Sequence, residues 1–163
     1  MPGSPDPTTP LWRAAQVFRL LSYIYAAYFQ IASNAGFDRP AVAWLIFGAL
    51  TAWTAACATA YLRGFGRRPA WVLAEMAVVV ALMLSTRLVA SNQWVADNQS
   101  LPTTLWATNA TISAAILAGP VVGMVAGVVV MGTAALLKGH ITIDLVRNAS
   151  IVIELAVGLA VGL

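Results

Sequence analysis

Charge is what this sequence has least of: nine Lys and Arg and six Asp and Glu in 163 residues, 9% in all. An ordinary soluble domain carries about 25%. A soluble globule this poor in charge lacks the polar side chains to cover its surface. With 60% hydrophobic residues and a mean hydropathy of +0.81, the composition is that of a membrane protein. A disordered chain is disfavoured for the same reason. The net charge of +3 arises from few acids rather than many bases, which argues against a nucleic-acid partner. Cysteine occurs once, as Cys57 in an apolar run, so no intrachain disulfide can form and a small packing residue is the plain reading. Histidine also occurs once, as His140 in KGHITID. With no Cys/His cluster and no second histidine at helical spacing, no metal site is expected. GxxxxGK[ST], the nucleophile elbow and HExxH are missing too, and with them the common signatures of phosphate binding, acyl transfer and zinc hydrolysis.

What is present is a series of long apolar runs. Six spans of about 20 residues would use roughly 120 residues, leaving the rest for ends and connections. A Pro-rich polar lead-in, residues 1–10, precedes spans at about 11–33, 40–61, 70–90, 104–118, 121–137 and 145–163. Arg13 and Arg19 before the apolar Leu20 to Ala32 imitate a signal peptide, but Tyr23, Tyr25, Tyr28 and Gln30 suit a packed helix better. Pro40 opens the second span where its missing N–H costs nothing, and Gly119-Pro120 separates the fourth from the fifth. The expected fold is therefore an all-α membrane protein, a bundle of about six transmembrane helices; the alternation of a β-barrel is absent. Arg13, Arg19, Arg63, Arg67 and Arg68 fall on one side of such a bundle, opposed only by Asp6, so both termini are expected in the cytoplasm of a plasma-membrane protein. Trp12, Trp71 and Tyr61 fall at the inner interface and Trp44, Trp94 and Trp106 near the outer one, as aromatic belts do.

No aromatic residue follows Ala107. Instead Gly119, Gly123 and Gly127, and later Gly158 and Gly162, recur at intervals of four, which lines one helix face and lets backbones approach. These glycines are candidates for helix packing, within one bundle or across a homodimer.

Ionisable groups inside a bilayer are costly and seek partners. By depth, Arg19 matches Glu75, both a turn or two inside from the cytoplasmic face, and Arg87 matches Glu154 near the outer face. Each pair reads either as a static clamp or, for Arg87, Glu154 and Asn109, as the lining of an outward-facing stimulus pocket. Asp97, Lys138, His140 and Arg147 would form its polar rim. His140 beside Lys138 is a solvated loop residue in the simplest reading, and an acidity sensor or anion contact in the functional one.

The order of motifs PLWRAAQVFRLLSYIYAAYF, RPAVAWLIFGALTAWTAACATAYLR, RRPAWVLAEMAVVVALMLSTRLV and LPTTLWATNATISAAILAGP resembles the N-terminal membrane region of actinobacterial MacS-type sensor histidine kinases, over essentially Pro10 to Leu163. Where those relatives carry a basic, Trp-containing connection after the fourth span, this chain has the neutral AILAGPVVG. The resemblance implies a two-component system: a dimeric sensor whose last membrane helix passes a stimulus to a cytoplasmic kinase core, which uses ATP and Mg and hands the phosphoryl group to a response regulator. None of those catalytic parts is expected here. His140 lacks the acidic neighbour that usually flanks a phosphoacceptor histidine, so the chain alone should not autophosphorylate.

The alternative reading is a small stand-alone transporter or channel subunit, which would need a polar stripe and broken spans, whereas the fifth span is almost wholly apolar. The outer basic residues suit a small anion; membrane stress, a lipid or a redox carrier fit as well. From Leu145 the last span would cover about 28 Å and from Ser150 about 21 Å, against a core of roughly 30 Å. It ends in ELAVGLAVGL with no polar anchor, so the expectation is that these 163 residues form the membrane portion of a longer kinase.

Overall fold

The computed structural model describes residues 8–97 and 102–138, and all regular structure among them is helical. The elements are α1 (Thr9–Ser33), α2 (Pro40–Arg63), α3 (Pro69–Leu84), α4 (Asn92–Asp97), α5 (Thr104–Ala118) and α6 (Pro120–Lys138). Short 3-10 turns, Asn34–Gly36 and Ser85–Leu88, extend α1 and α3. Proline stands in the first turn of α1, α2 and α3, where its fixed φ favours the helix and no hydrogen bond is lost. α2 stops at Gly64, whose φ of 85° is the left-handed conformation that glycine tolerates. The sixth expected span, 145–163, lies outside the described residues, as do Glu154, Gly158 and Gly162.

Among the described residues, three helices are long and apolar enough to cross a membrane: Pro40–Arg63, Pro69–Leu88 and Pro120–Lys138. The helix α1 is as long but differs in kind. Its buried residues are Trp12, Ala15, Arg19, Ser22, Ala26 and Gln30, one stripe at helical spacing that includes Arg19, Ser22 and Gln30. Its opposite face exposes Val17, Leu20, Leu21, Ile24 and Ile31. Polar inside and apolar outside is the reverse of a water-soluble helix, and it fits a lipid surround.

The centre of the bundle is α5. Every residue from Trp106 to Ala115 is buried, and the helix packs on α1, α3 and α6. Its 15 residues reach only about 22 Å, less than a bilayer core, which matters less for a helix sheathed by others. It turns directly into α6 at Gly119, where φ is 89°.

The arrangement is up and down. At one end Arg67 donates to Thr9 Oγ1, and Trp12 stacks on Tyr61 with centroids 4.7 Å apart. At the other end Phe37 meets Trp94 at 4.8 Å, while the Asp38 and Arg39 N–H groups both donate to Val89 O. Residues 91–103, left between the expected third and fourth spans, connect α3 to α5. They contain α4, which plants Val95 in the core and lays Trp94 over Gly36.

Candidate functional site

Four helices contribute to one buried polar junction. From α1, Arg19 Nη2 donates to Glu75 Oε1 on α3 at 2.6 Å and to Ser113 Oγ on α5 at 3.3 Å; its Nε donates to Gln16 at 3.1 Å. The other Glu75 oxygen accepts from Tyr61 on α2 at 2.5 Å. Arg19 is 2% exposed, and Glu75, Tyr61 and Ser113 are fully buried. Both carboxylate oxygens are satisfied, whereas Arg19 Nη1 has no partner. A second set lies beside it: Asn109 Nδ2 donates to Ser22 Oγ at 2.8 Å and to Trp106 O at 2.7 Å, and Trp106 Nε1 donates to Thr54 at 2.9 Å.

Local sequence explains why these groups converge. Arg19 and Ser22 lie on the buried stripe of α1, with half-buried Gln16 one turn before Arg19, and Asn109 and Ser113 are one turn apart on α5. Two polar stripes face each other between the two helices, and Glu75 from α3 supplies the counter-charge. An aromatic column joins this junction to the Arg67 end: Arg67 lies 5.8 Å from the Trp12 ring, Trp12 stacks on Tyr61, and Arg19 lies 5.4 Å from the Tyr61 ring.

Of the residues singled out from sequence, the structure brings Arg19 and Glu75 together. Asn109 belongs to this interior network and does not line the hollow at the Arg87 end. Its depth in the span resembled that of Arg87, but its face on α5 turns inward. Arg87 donates through Nη2 to the carbonyls of Leu136 and Leu137, capping the last turn of α6. Its expected partner Glu154, together with His140 and Arg147, lies outside the described residues. Tyr61, Ser113, Ser22 and Gln16 were missed. The three-to-four-residue spacing of Gln16, Arg19 and Ser22, and of Asn109 and Ser113, was the available signal.

Two readings of residue type need correction. Trp12, Tyr61 and Trp106 do not form an interfacial belt: all three are buried, because Trp12 and Tyr61 stack face to face and the Trp106 Nε1–H donates to Thr54. Gly119 is not a packing glycine either. A Cβ there would meet nothing within 4 Å, and its role is the turn itself. Gly123 is the close approach: a Cβ would sit 2.6 Å from Ala115 Cβ on α5. Gly127 is buried on the same face of α6.

The whole arrangement, from α1 through the described end of α6, falls within a single family match. The family described as one of unknown function, DUF5931, covers residues 7–163. The chain belongs to this family. No curated protein and no solved structure matches it. In this DUF5931 chain no group of three or more His, Cys, Asp or Glu among the described residues is gathered to hold a metal ion. The junction holds one ion pair and its hydrogen bonds, enclosed by side chains from four helices.

Proposed function

We propose that this chain is the sensing and signal-transmitting membrane domain of a two-component sensor histidine kinase. In this reading six helices cross the plasma membrane with both termini in the cytoplasm, two copies pair, and the last helix carries the signal to a kinase core. ATP, Mg and the response regulator belong to that core and not to residues of this chain.

Two things support the reading. One is the likeness of four consecutive motifs to MacS-type kinases. The other, which carries it, is the Arg19–Glu75 pair at the meeting point of α1, α2, α3 and α5. A buried pair is a poor way to gain stability, since apolar residues of like volume do as well, but it separates two states sharply: closed, with both carboxylate oxygens bonded, or open and costly. A helix displacement at either end must keep or break it, which is what a two-state transmitter requires.

The test joins this domain to a histidine-kinase core in native membranes and compares its autophosphorylation with that of the core alone. The reading predicts that the membrane domain sets the rate and that the chain in liposomes moves no solute. Equal rates with and without the domain, or a substrate flux through the chain alone, would contradict it and favour the transporter reading.

A further inference from the structure

At the end of the bundle opposite the Arg63–Arg68 connection, the structure contains an open hollow of about 490 Å³, lined chiefly by Asp38, Arg39, Arg87, Ala90, Ser91 and Asn92. That size lies within the roughly 300–1,000 Å³ of small-molecule sites. Its floor is fixed, because the Asp38 and Arg39 N–H groups are both held by Val89 O, at 2.9 and 3.4 Å. Its side chains are not used up. The Arg87 bonds to Leu136 and Leu137 run through Nη2 alone, leaving Nε and Nη1 available. Among the described residues the only salt bridge is Arg19–Glu75, so neither arginine of the hollow is paired with Asp38. Ser91 Oγ accepts from the Trp94 N–H at 3.1 Å, and its own hydrogen is free to donate.

We propose that this hollow binds an anionic group, a phosphate or carboxylate, between Arg39 and Arg87. Two guanidiniums against one carboxylate leave a net positive charge, and the guanidinium fork matches the two oxygens of such a group. Ser91 and Asn92 supply neutral donors at the rim, while Asp38 opposes the ligand and limits its affinity. The occupant would be either a free anion or the phosphate of a lipid headgroup at that face. Arg87 gives the site its consequence: the guanidinium that meets the anion also holds the Leu136 and Leu137 carbonyls through Nη2, so occupancy reaches the last turn of the helix that leads on to residues 139–163. That consequence rests on the sensor reading; the binding does not.

The full chain in nanodiscs of phosphatidylcholine is titrated with inorganic phosphate by calorimetry, and native mass spectrometry follows retained lipid in discs that also contain phosphatidylglycerol. The proposal predicts saturable phosphate binding, or one retained phosphatidylglycerol, weakened at least tenfold by Arg39→Met and tightened by Asp38→Asn. The first outcome identifies a free anion as the occupant, and the second a lipid headgroup. The Arg39 side chain makes no hydrogen bond or ion pair among the described residues, and its backbone bonds are untouched by substitution, so its variant keeps the fold even if Arg87→Met does not. The proposal is overturned if folded Arg39→Met matches the wild type in both measurements. Such a failure would remove the site and leave the kinase reading standing, because the titration reads binding alone.

Discussion

Arg19 of α1 and Glu75 of α3, 56 residues apart in the chain, meet at 2.6 Å in the interior of the bundle. Pairing explains how either charge is tolerated there. Removing one partner strands the other, at a cost of about 3–5 kcal/mol, whereas replacing both with apolar residues is often neutral. Glu75→Gln and Arg19→Met should therefore each destabilise the protein strongly, and the double variant Arg19→Met with Glu75→Leu should recover most of the loss. Unfolding followed by circular dichroism in mixed micelles measures the cycle. Additive losses in the double variant would show that the pair is not the unit described.

Tyr61 serves the junction twice, through its hydroxyl and through its ring. Tyr61→Phe keeps the stack on Trp12 and removes one hydrogen bond to a charged acceptor, worth about 1.5–3 kcal/mol. Tyr61→Leu also loses the stack, about 0.5–1.5 kcal/mol more. The same unfolding measurement should rank wild type above Phe and Phe above Leu. Equal Phe and Leu variants would mean that the ring contributes nothing.

Two glycines of α6 should respond in opposite directions. A Cβ at Gly123 meets Ala115 Cβ at 2.6 Å, so Gly123→Ala forces α5 and α6 apart at about 1–3 kcal/mol. Gly132 has nothing within 4 Å, and Gly132→Ala should be neutral or gain up to about 1 kcal/mol of helix propensity. Thermal aggregation midpoints of the two variants in detergent test the contrast.

At the opposite end, Gly36 leaves room for an indole. A Cβ there would lie 2.9 Å from Trp94 Nε1, so Gly36→Ala must displace the Trp94 ring from its place over the turn. In spectra of protein labelled with 15N-tryptophan, the Trp94 indole resonance should shift while that of Trp53, remote on α2, stays in place. An unchanged Trp94 signal would place α4 elsewhere.

Much of this was legible before any coordinates. Helix limits followed from proline and glycine: Pro40 and the Gly119-Pro120 break stand where α2 and α6 begin and α5 ends, whereas α2 runs two residues past the expected 61, to Arg63 before Gly64. Arg19 and Glu75 could be matched because depth from a common face is countable along two helices. Azimuth is harder to count. Depth alone put Asn109 with Arg87 and Trp12 with the lipid interface, whereas the face each residue occupies is decided by neighbours on other helices. The six-residue α4 escaped because a helix so short has no period to read. Its anchor, Val95 in the core, depends on a cavity that only the folded bundle creates.

Whether the buried pair transmits a signal is read most directly from autophosphorylation of a kinase core joined to this domain in membranes, wild type against Glu75→Gln and Tyr61→Phe. The account predicts that both variants, inserted and folded, shift the basal rate severalfold in the same direction, since both release the same carboxylate junction. Folded variants that phosphorylate at the wild-type rate would contradict it and leave Arg19–Glu75 as a clamp alone.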